Sequence, residues 1–372
     1  MNDSDDIAVL LRQSAVDFLQ ARVADKPAIG SVSPFNSVGW RELEALGWLG
    51  VGLPESLGGQ GLGLREAAVL CEEFGRAASP IPYLAASLLP SLLMAKCAPN
   101  SGILELAALL TSGERPFAIA WQESAGQVDD AMPLTQIRDG RISGRKRFVV
   151  GACPEGILLV TAESKGLPVL AAVDASATGV MLERYAAGLA SDATICFEHA
   201  PILFGAPLAS GPDSELALVS VLQAARVALS AQLTGLAAGV LEKTLAYVGT
   251  RVQFGRPISG FQSIRHRCVD LHVDVRLASA SWSHALRTVE AAADTRLAAM
   301  AVSAAKARCG DVAVQTSVKA IQMHGAMGFT EEGGVGAYLR AALHGRAWLG
   351  MPMVQRRRFV ALNAESEEVF HA

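Results

Sequence analysis

The chain has 372 residues, of which 51% are hydrophobic and 18% charged, with a formal net charge of −4 at pH 7. That length builds two or three domains with well-buried cores, and the abundance of alanine and leucine without long charge runs argues against a disordered region. There is no basic tract to point to nucleic acid. The apolar runs are broken too often for a membrane span, and the acidic start Met1-Asn2-Asp3-Ser4-Asp5-Asp6 is unlike a secretory signal. Six cysteines stand singly, with no C-x-x-C pair. This pattern speaks against a disulfide framework or a zinc site, and it suits a reduced, cytoplasmic setting.

Residues 1–112 read as a helical domain. Ile7, Leu10, Leu11, Ala15 and Leu19 recur at the spacing of one helical face. The pattern repeats from Leu64 to Phe74, where Gly75 is placed to cap the helix, and Pro80 and Pro82 prevent simple continuation. Residues 113–212 change to a β domain. Asp139-Gly140 between Leu134–Arg138 and Arg141–Gly144 is a hairpin signal, and the runs at 148–150, 157–160, 168–170 and 194–197 read as short strands. From 213 to 372 the helical pattern returns, with Asp213 or Ser214 as the first cap, an interruption at 251–260, and helices near 261–292, 295–326 and 333–361. Long helices with short connections form a bundle. The fold expected is therefore mostly α with a central β domain.

Several segments stand out along this frame: Trp40-Arg41-Glu42-Leu43, Leu53-Pro54-Glu55-Ser56-Leu57-Gly58-Gly59-Gln60-Gly61, Arg251-Val252-Gln253-Phe254-Gly255-Arg256-Pro257-Ile258 with Phe261-Gln262, and Gln322-Met323-His324-Gly325-Ala326-Met327-Gly328-Phe329. Near the end come Tyr338-Leu339-Arg340-Ala341-Ala342 and Trp348-Leu349-Gly350-Met351. In this order and spacing the chain resembles the acyl-CoA dehydrogenase family over nearly its whole length. The resemblance implies a helical domain, a β domain and a four-helix bundle, with FAD lying across a subunit interface. One subunit cradles the flavin ring, and its neighbour reaches the pyrophosphate and adenosine end.

The donor role is retained in what the resemblance implies. Arg251 matches the arginine that reaches the pyrophosphate, a task suited to the guanidinium fork. Gln253, Phe254, Ile258 and Phe261 match positions around the cofactor, with Gln253 in place of a common threonine. Gln322, Met323, Gly325 and Ala326 match the second donor segment, with Ala326 in place of a glycine. The cradle role is altered. The Thr-Glu-Pro and Gly-Ser-Asp loop reads Ala120-Trp121-Gln122-Glu123-Ser124-Ala125-Gly126-Gln127-Val128, and the Trp-Ile-Thr strand reads Phe148-Val149-Val150. The family's usual base falls on Leu349, its alternative position on Ala225 before Arg226, and the threonine two residues beyond the usual base on Met351. A hydrocarbon side chain accepts no proton.

The expectation is the base-less subunit of an α2β2 acyl-CoA dehydrogenase, of the kind that acts on steroid side-chain CoA thioesters in actinobacteria. It would complete the FAD site of a glutamate-bearing partner and pass electrons to an electron-transfer flavoprotein. Two rivals stay open: a self-sufficient dehydrogenase with a displaced base at Glu331 or Glu332, and a non-enzymatic assembly or regulatory protein that has kept the fold. Plain structural readings also stand beside the functional ones. Arg251 fits a surface salt bridge, Phe254 and Phe261 fit bundle core, and Gln322 and His324 fit a helix end. Asp270 and Asp274 with Arg265 and Arg267 fit a surface charge cluster, and Trp348 fits packing.

Overall fold

The computed structural model describes residues 3–21, 35, 38–128, 132–185, 192–291 and 295–371. Helices α1 (Asp3–Gln20), α2 (Val38–Ala45), α3 (Leu64–Arg76), α4 (Leu89–Lys96) and α5 (Ser101–Thr111) come first. Strands β1 (Phe117–Ala120), β2 (Gln136–Arg138), β3 (Arg141–Val149), β4 (Ile157–Ser164), β5 (Leu167–Asp174), β6 (Val180–Arg184), β7 (Ala193–Pro201) and β8 (Ala209–Ser210) follow. The chain then returns to helix in α6 (Pro212–Thr250), makes a small hairpin from β9 (Val252–Gln253) and β10 (Arg256–Pro257), and ends in α7 (Gln262–Ala291), α8 (Thr295–His324), α9 (Val335–Ala347) and α10 (Pro352–His371). By compactness the chain falls into two units: Met1–Val23, Ala68–Ser79 and Arg226–Ala372 form one, and Ala24–Ala67 with Pro80–Ala225 the other. This division cuts across the three segments drawn from the change of secondary structure.

The sheet belongs to the second unit and runs β6-β7-β3-β2-β4-β5-β8, with β1 parallel to β4. Its inner face is a continuous apolar layer that includes Ile142, Leu158, Val160, Val173, Ile195 and Phe197. The Asp139-Gly140 hairpin forms as its sequence demands, with both residues at positive φ. Strand β3 slips register against β7 between Ile142 and Gly144 and again between Lys146 and Val149, and such bulges re-aim the side chains beside them. Asn100 caps α5 by accepting from the Ile103 N–H at 3.0 Å, and its amide donates to the Leu208 carbonyl at 3.0 Å.

In the first unit α3 packs on α6 through bare main chain. A Cβ on Gly75 would lie 2.0 Å from the Gln232 carbonyl oxygen, and Cβ atoms on Gly235 and Gly239 would lie 1.9 Å from those of Glu72 and Arg76. Gly75 is therefore a packing residue within the helix. The cap expected of it falls to Ala78, which takes φ 48° while its N–H reaches the Gly75 carbonyl. Arg12 on α1 pairs with Glu72 and Glu73 on α3, and Arg76 pairs with Glu73 and with Glu242 on α6. Burial pushes the Glu73 carboxyl up, against the pull of Arg76 and Arg12.

Other expectations are corrected in detail. The inner face of α1 is Ala15, Phe18 and Leu19, whereas Ile7 and Leu10 lie exposed. Helix α6 starts at Pro212, the first helical position that proline favours. The Ser214 hydroxyl donates to the Pro168 and Gly211 carbonyls, so it does not cap the helix. The helix expected at 333–361 is two, because Gly350 takes φ 102° and Pro352 opens α10. Helix α6 is also long and apolar enough to cross a membrane, but its most apolar window is 67% buried within the protein, as a core helix is. All six cysteines are free.

Candidate functional site

Two places in the first unit carry the residues singled out above. The first is the end of the bundle where α6 and α8 stop. The Arg251 N–H reaches the Tyr247 carbonyl at 2.9 Å, and the Ile258 N–H closes the β9–β10 hairpin on the Arg251 carbonyl at 2.8 Å. The turn at its tip is Phe254-Gly255, at φ 51° and 76°. A two-residue turn with both φ values positive normally takes Asn-Gly, and a bulky residue there is a genuine outlier. The Phe254 ring is 92% exposed, touching the edge of Phe261 at 6.1 Å between centroids, while the Arg256 guanidinium covers Phe261 at 4.2 Å. Phe254 is thus not bundle core, although Phe261 and Ile258 are half-buried. Arg251 is exposed, and among the described residues no carboxylate pairs with it. Gln253 is exposed, and its amide donates to the Val252 carbonyl at 2.9 Å.

The second donor segment begins beside the first. His324, the last residue of α8, stacks on Tyr247 at 4.3 Å and 20°, and the Tyr247 hydroxyl donates to the His324 carbonyl at 3.3 Å. His324 is 5% exposed, and its Nδ1 lies 2.9 Å from the Ala320 carbonyl. Burial, and to a lesser degree Lys243, pushes the imidazole below its ordinary pKa. Gly325 follows at φ 61°. Gln322, Gly325 and Ala326 are exposed, whereas Met323 is buried in the core and supports the segment from beneath. A Cβ on Gly255 or Gly325 would meet nothing within 4 Å. Open backbone, an unpaired guanidinium and a bare aromatic ring fit the phosphate and adenosine end of a dinucleotide. The displaced-base candidates Glu331 and Glu332 lie exposed in the turn that follows.

The second place is the turn after α9. Leu349 is 2% exposed at φ 58°, a backbone conformation that costs a non-glycine residue roughly 1–2 kcal/mol. Side chains from three helices hold the turn. Arg226 Nε on α6 donates to the Leu349 carbonyl at 3.4 Å, Gln355 Nε2 on α10 donates to the same oxygen at 2.7 Å, and Lys306 Nζ on α8 donates to the Arg346 and Gly350 carbonyls at 3.2 Å each. Positive groups at the C-terminal end of α9 meet the negative pole of its dipole. Burial nevertheless pushes the Lys306 ammonium down to about 7, with Arg226 and Arg346 adding to the fall. Trp348 packs on His344 at 6.3 Å. Sequence reasoning passed over Lys306 and Gln355, and the one available signal was a lone charge in the run Ala304-Ala305-Lys306-Ala307.

The cradle residues lie in the second unit and are engaged with one another. Lys146 Nζ, fully buried, donates to Glu123 Oε1 at 2.7 Å and to Thr161 Oγ1 at 3.1 Å. Glu123 also accepts from the N–H groups of Leu134 and Thr135 and from the Thr135 hydroxyl. Burial alone would push this carboxyl up, but the hydrogen bond and charge of Lys146 outweigh it and hold the group below its ordinary value. Phe148, at φ 55° on the β3 bulge, stacks on Tyr185 at 5.8 Å and carries the Arg147 guanidinium at 5.2 Å. The half-buried ring where the family strand has tryptophan is thus engaged by Tyr185 and Arg147.

The N-terminal domain of acyl-CoA dehydrogenases is matched over residues 6–98 and the C-terminal domain over 216–361. The chain belongs to the acyl-CoA dehydrogenase family. It is 31% identical to the acyl-CoA dehydrogenase IpdE2 of Mycobacterium tuberculosis, over 92% of this chain and 91% of that protein. It is 30% identical to FadE34 of the same organism over 88% of this chain, but spans only 43% of that relative's length. Among solved structures, a variant of the Tcur3481–Tcur3483 steroid ACAD superposes with a TM-score of 0.81 at 27% identity, covering 98% of this chain and 99% of the other. The ChsE4–ChsE5 complex of Mycobacterium tuberculosis gives 0.81 at 25%, covering 98% of each.

Proposed function

We propose that this chain is the base-less subunit of a heteromeric, FAD-dependent acyl-CoA dehydrogenase that introduces an α,β double bond into an acyl-CoA thioester. The observation that carries the reading is a pairing: a hydrocarbon sits buried at position 349, and the residues that match the family's donor groups lie largely exposed at the other place. Within the chain's own residues, Arg251 would hold the pyrophosphate. Phe254, Gln253, Ile258 and Phe261 would flank the adenosine end, and the main chain at Gln322, Gly325 and Ala326 would approach it closely. FAD, when bound, supplies the hydride acceptor. The α-proton goes to a carboxylate of the partner, since neither Leu349 nor Ala225 can take it. The naming of two similar structures, one as a two-protein complex and one as a steroid ACAD, supports a second dehydrogenase subunit and a steroid thioester; a glutamate on that partner, an α2β2 assembly and a side-chain thioester belong to the proposal. A cytoplasmic location and an electron-transfer flavoprotein as acceptor belong to the same reading.

The test is purification of the chain alone and co-expressed with a glutamate-bearing dehydrogenase. Flavin absorbance and turnover should come only with the partner, with one FAD per heterodimer. A stoichiometric yellow, active homo-oligomer would establish the self-sufficient rival, and a chain that takes up neither flavin nor partner would establish the non-enzymatic one.

A further inference from the structure

Arg251 and Gly325 lie 74 positions apart in sequence, yet both segments start from a single contact. Tyr247 is in the last turn of α6, and its carbonyl holds the Arg251 N–H. Its ring lies flat on His324, and its hydroxyl reaches the His324 carbonyl, the last main-chain oxygen before Gly325. His324 is fixed in turn by Nδ1, which donates to the Ala320 carbonyl one helical turn back. Beyond these two rings most residues of both segments are exposed, with Ile258 half-buried and Gly328 packed against the Ile321 main chain. Among the described residues no hydrogen bond or ion pair joins one segment to the other further out, and a Cβ at Gly325 would meet open space.

We propose that Tyr247 and His324 are positioning residues, a ring pair that locks the 251–258 and 325–329 segments into one platform so that Arg251 and the Gly325 main chain present themselves at a fixed separation. That this platform serves a dinucleotide rests on the function proposed above; that the two segments are coupled does not. A flat ring on a flat ring resists sliding and tilting, and the hydroxyl adds a directional contact to the adjoining peptide. Two anchor groups held at fixed separation bind an extended ligand without ordering loops at the moment of binding.

The test has one arm without cofactor and one with it. In the isolated chain, hydrogen exchange is followed by peptide. Tyr247→Leu should raise uptake at 325–329 as well as 251–258, and His324→Leu should raise uptake at 251–258 as well as 325–329. Tyr247→Phe, which keeps the stack, should leave both close to wild type. In the co-expressed complex, Tyr247→Leu should speed FAD release about three- to tenfold, the scale of one lost aromatic pair, and should not add to the effect of Arg251→Ala. Exchange that rises only in the mutated segment overturns the coupling. So does failure of both leucine variants to fold, since the rings would then serve the core. Reciprocal exchange with no change in FAD release leaves the coupling standing and overturns the dinucleotide assignment.

Discussion

The turn at 348–351 and the end of the bundle at 251–258 and 322–329 have opposite histories written in them. At the turn a leucine stands where the family resemblance places the base, and the groups around it are engaged: Arg226, Lys306 and Gln355 converge on three carbonyls and hold Leu349 in a left-handed conformation. At the bundle end stand the residues that match the family's donor segments. Among the described residues no carboxylate pairs with Arg251, and Phe254 adopts an unfavourable φ while its ring is exposed. The contrast teaches that the buried turn is accounted for by contacts within the chain. An exposed, strained one needs a reason outside the chain.

The largest effect should come from asking the turn to work again. Leu349→Glu in the isolated chain should not give a competent enzyme. A general base contributes roughly 10²–10⁴-fold only beside a held substrate and acceptor, and the Phe148 ring is already engaged by Tyr185 and Arg147. Turnover measured with an artificial one-electron acceptor should stay at background, and robust turnover would reverse the contrast. Next, Glu123→Ala leaves Lys146 buried without its carboxylate, and urea unfolding should show a loss of about 3–5 kcal/mol.

Lys306→Met tests whether the turn's lock is structural. The folded pKa is lowered to about 7 from 10.5. Between those values the unfolded chain keeps a proton that the folded chain has shed, so wild-type stability should rise with pH across that window by roughly 1.4 kcal/mol per unit of difference in pKa. The variant should lose that rise, because methionine carries no proton to shed. Denaturant midpoints at pH 7 and pH 9.5 decide it. Smallest in energy and sharpest in meaning is Arg251→Ala. FAD release from the complex should quicken by about one to two decades, the scale of a charge-assisted hydrogen bond, with circular dichroism and Tm unchanged. Wild-type retention of FAD would leave the bundle end without its leading residue.

Much of the helical frame could be read from periodicity, because 3.6-residue spacing and proline breaks act locally. The boundaries of α7 and α8 fall within two residues of those expected. What failed was non-local. Ile7 and Leu10 carry the same spacing as Ala15 and Leu19, but periodicity does not say how far along a helix the covering surface extends. Gly75 could cap a helix or admit another backbone, and only the approach of Gln232 chooses between them. The break at Gly350-Met351-Pro352 was visible in principle, since proline marks a first helical position as readily as it marks an end. Of the candidate site, the segments at 251–258 and 322–329 stand out in the sequence because they form contiguous motifs, and their donor role stays with the proposal. The groups that hold the turn come from α6, α8 and α10, at positions with no local signature, and Tyr247 is one aromatic in a long helix.

The glycine contact between α3 and α6 bears on how this molecule can be taken apart. Because Gly235 and Gly239 touch the main chain at Glu72 and Arg76, a fragment starting at residue 213 would uncover a strip of bare peptide on its longest helix. No side-chain redesign could cover that strip without the missing segment. Expression of the bundle by itself should yield an aggregating species, and adding residues 68–79 as a separate peptide should dissolve it.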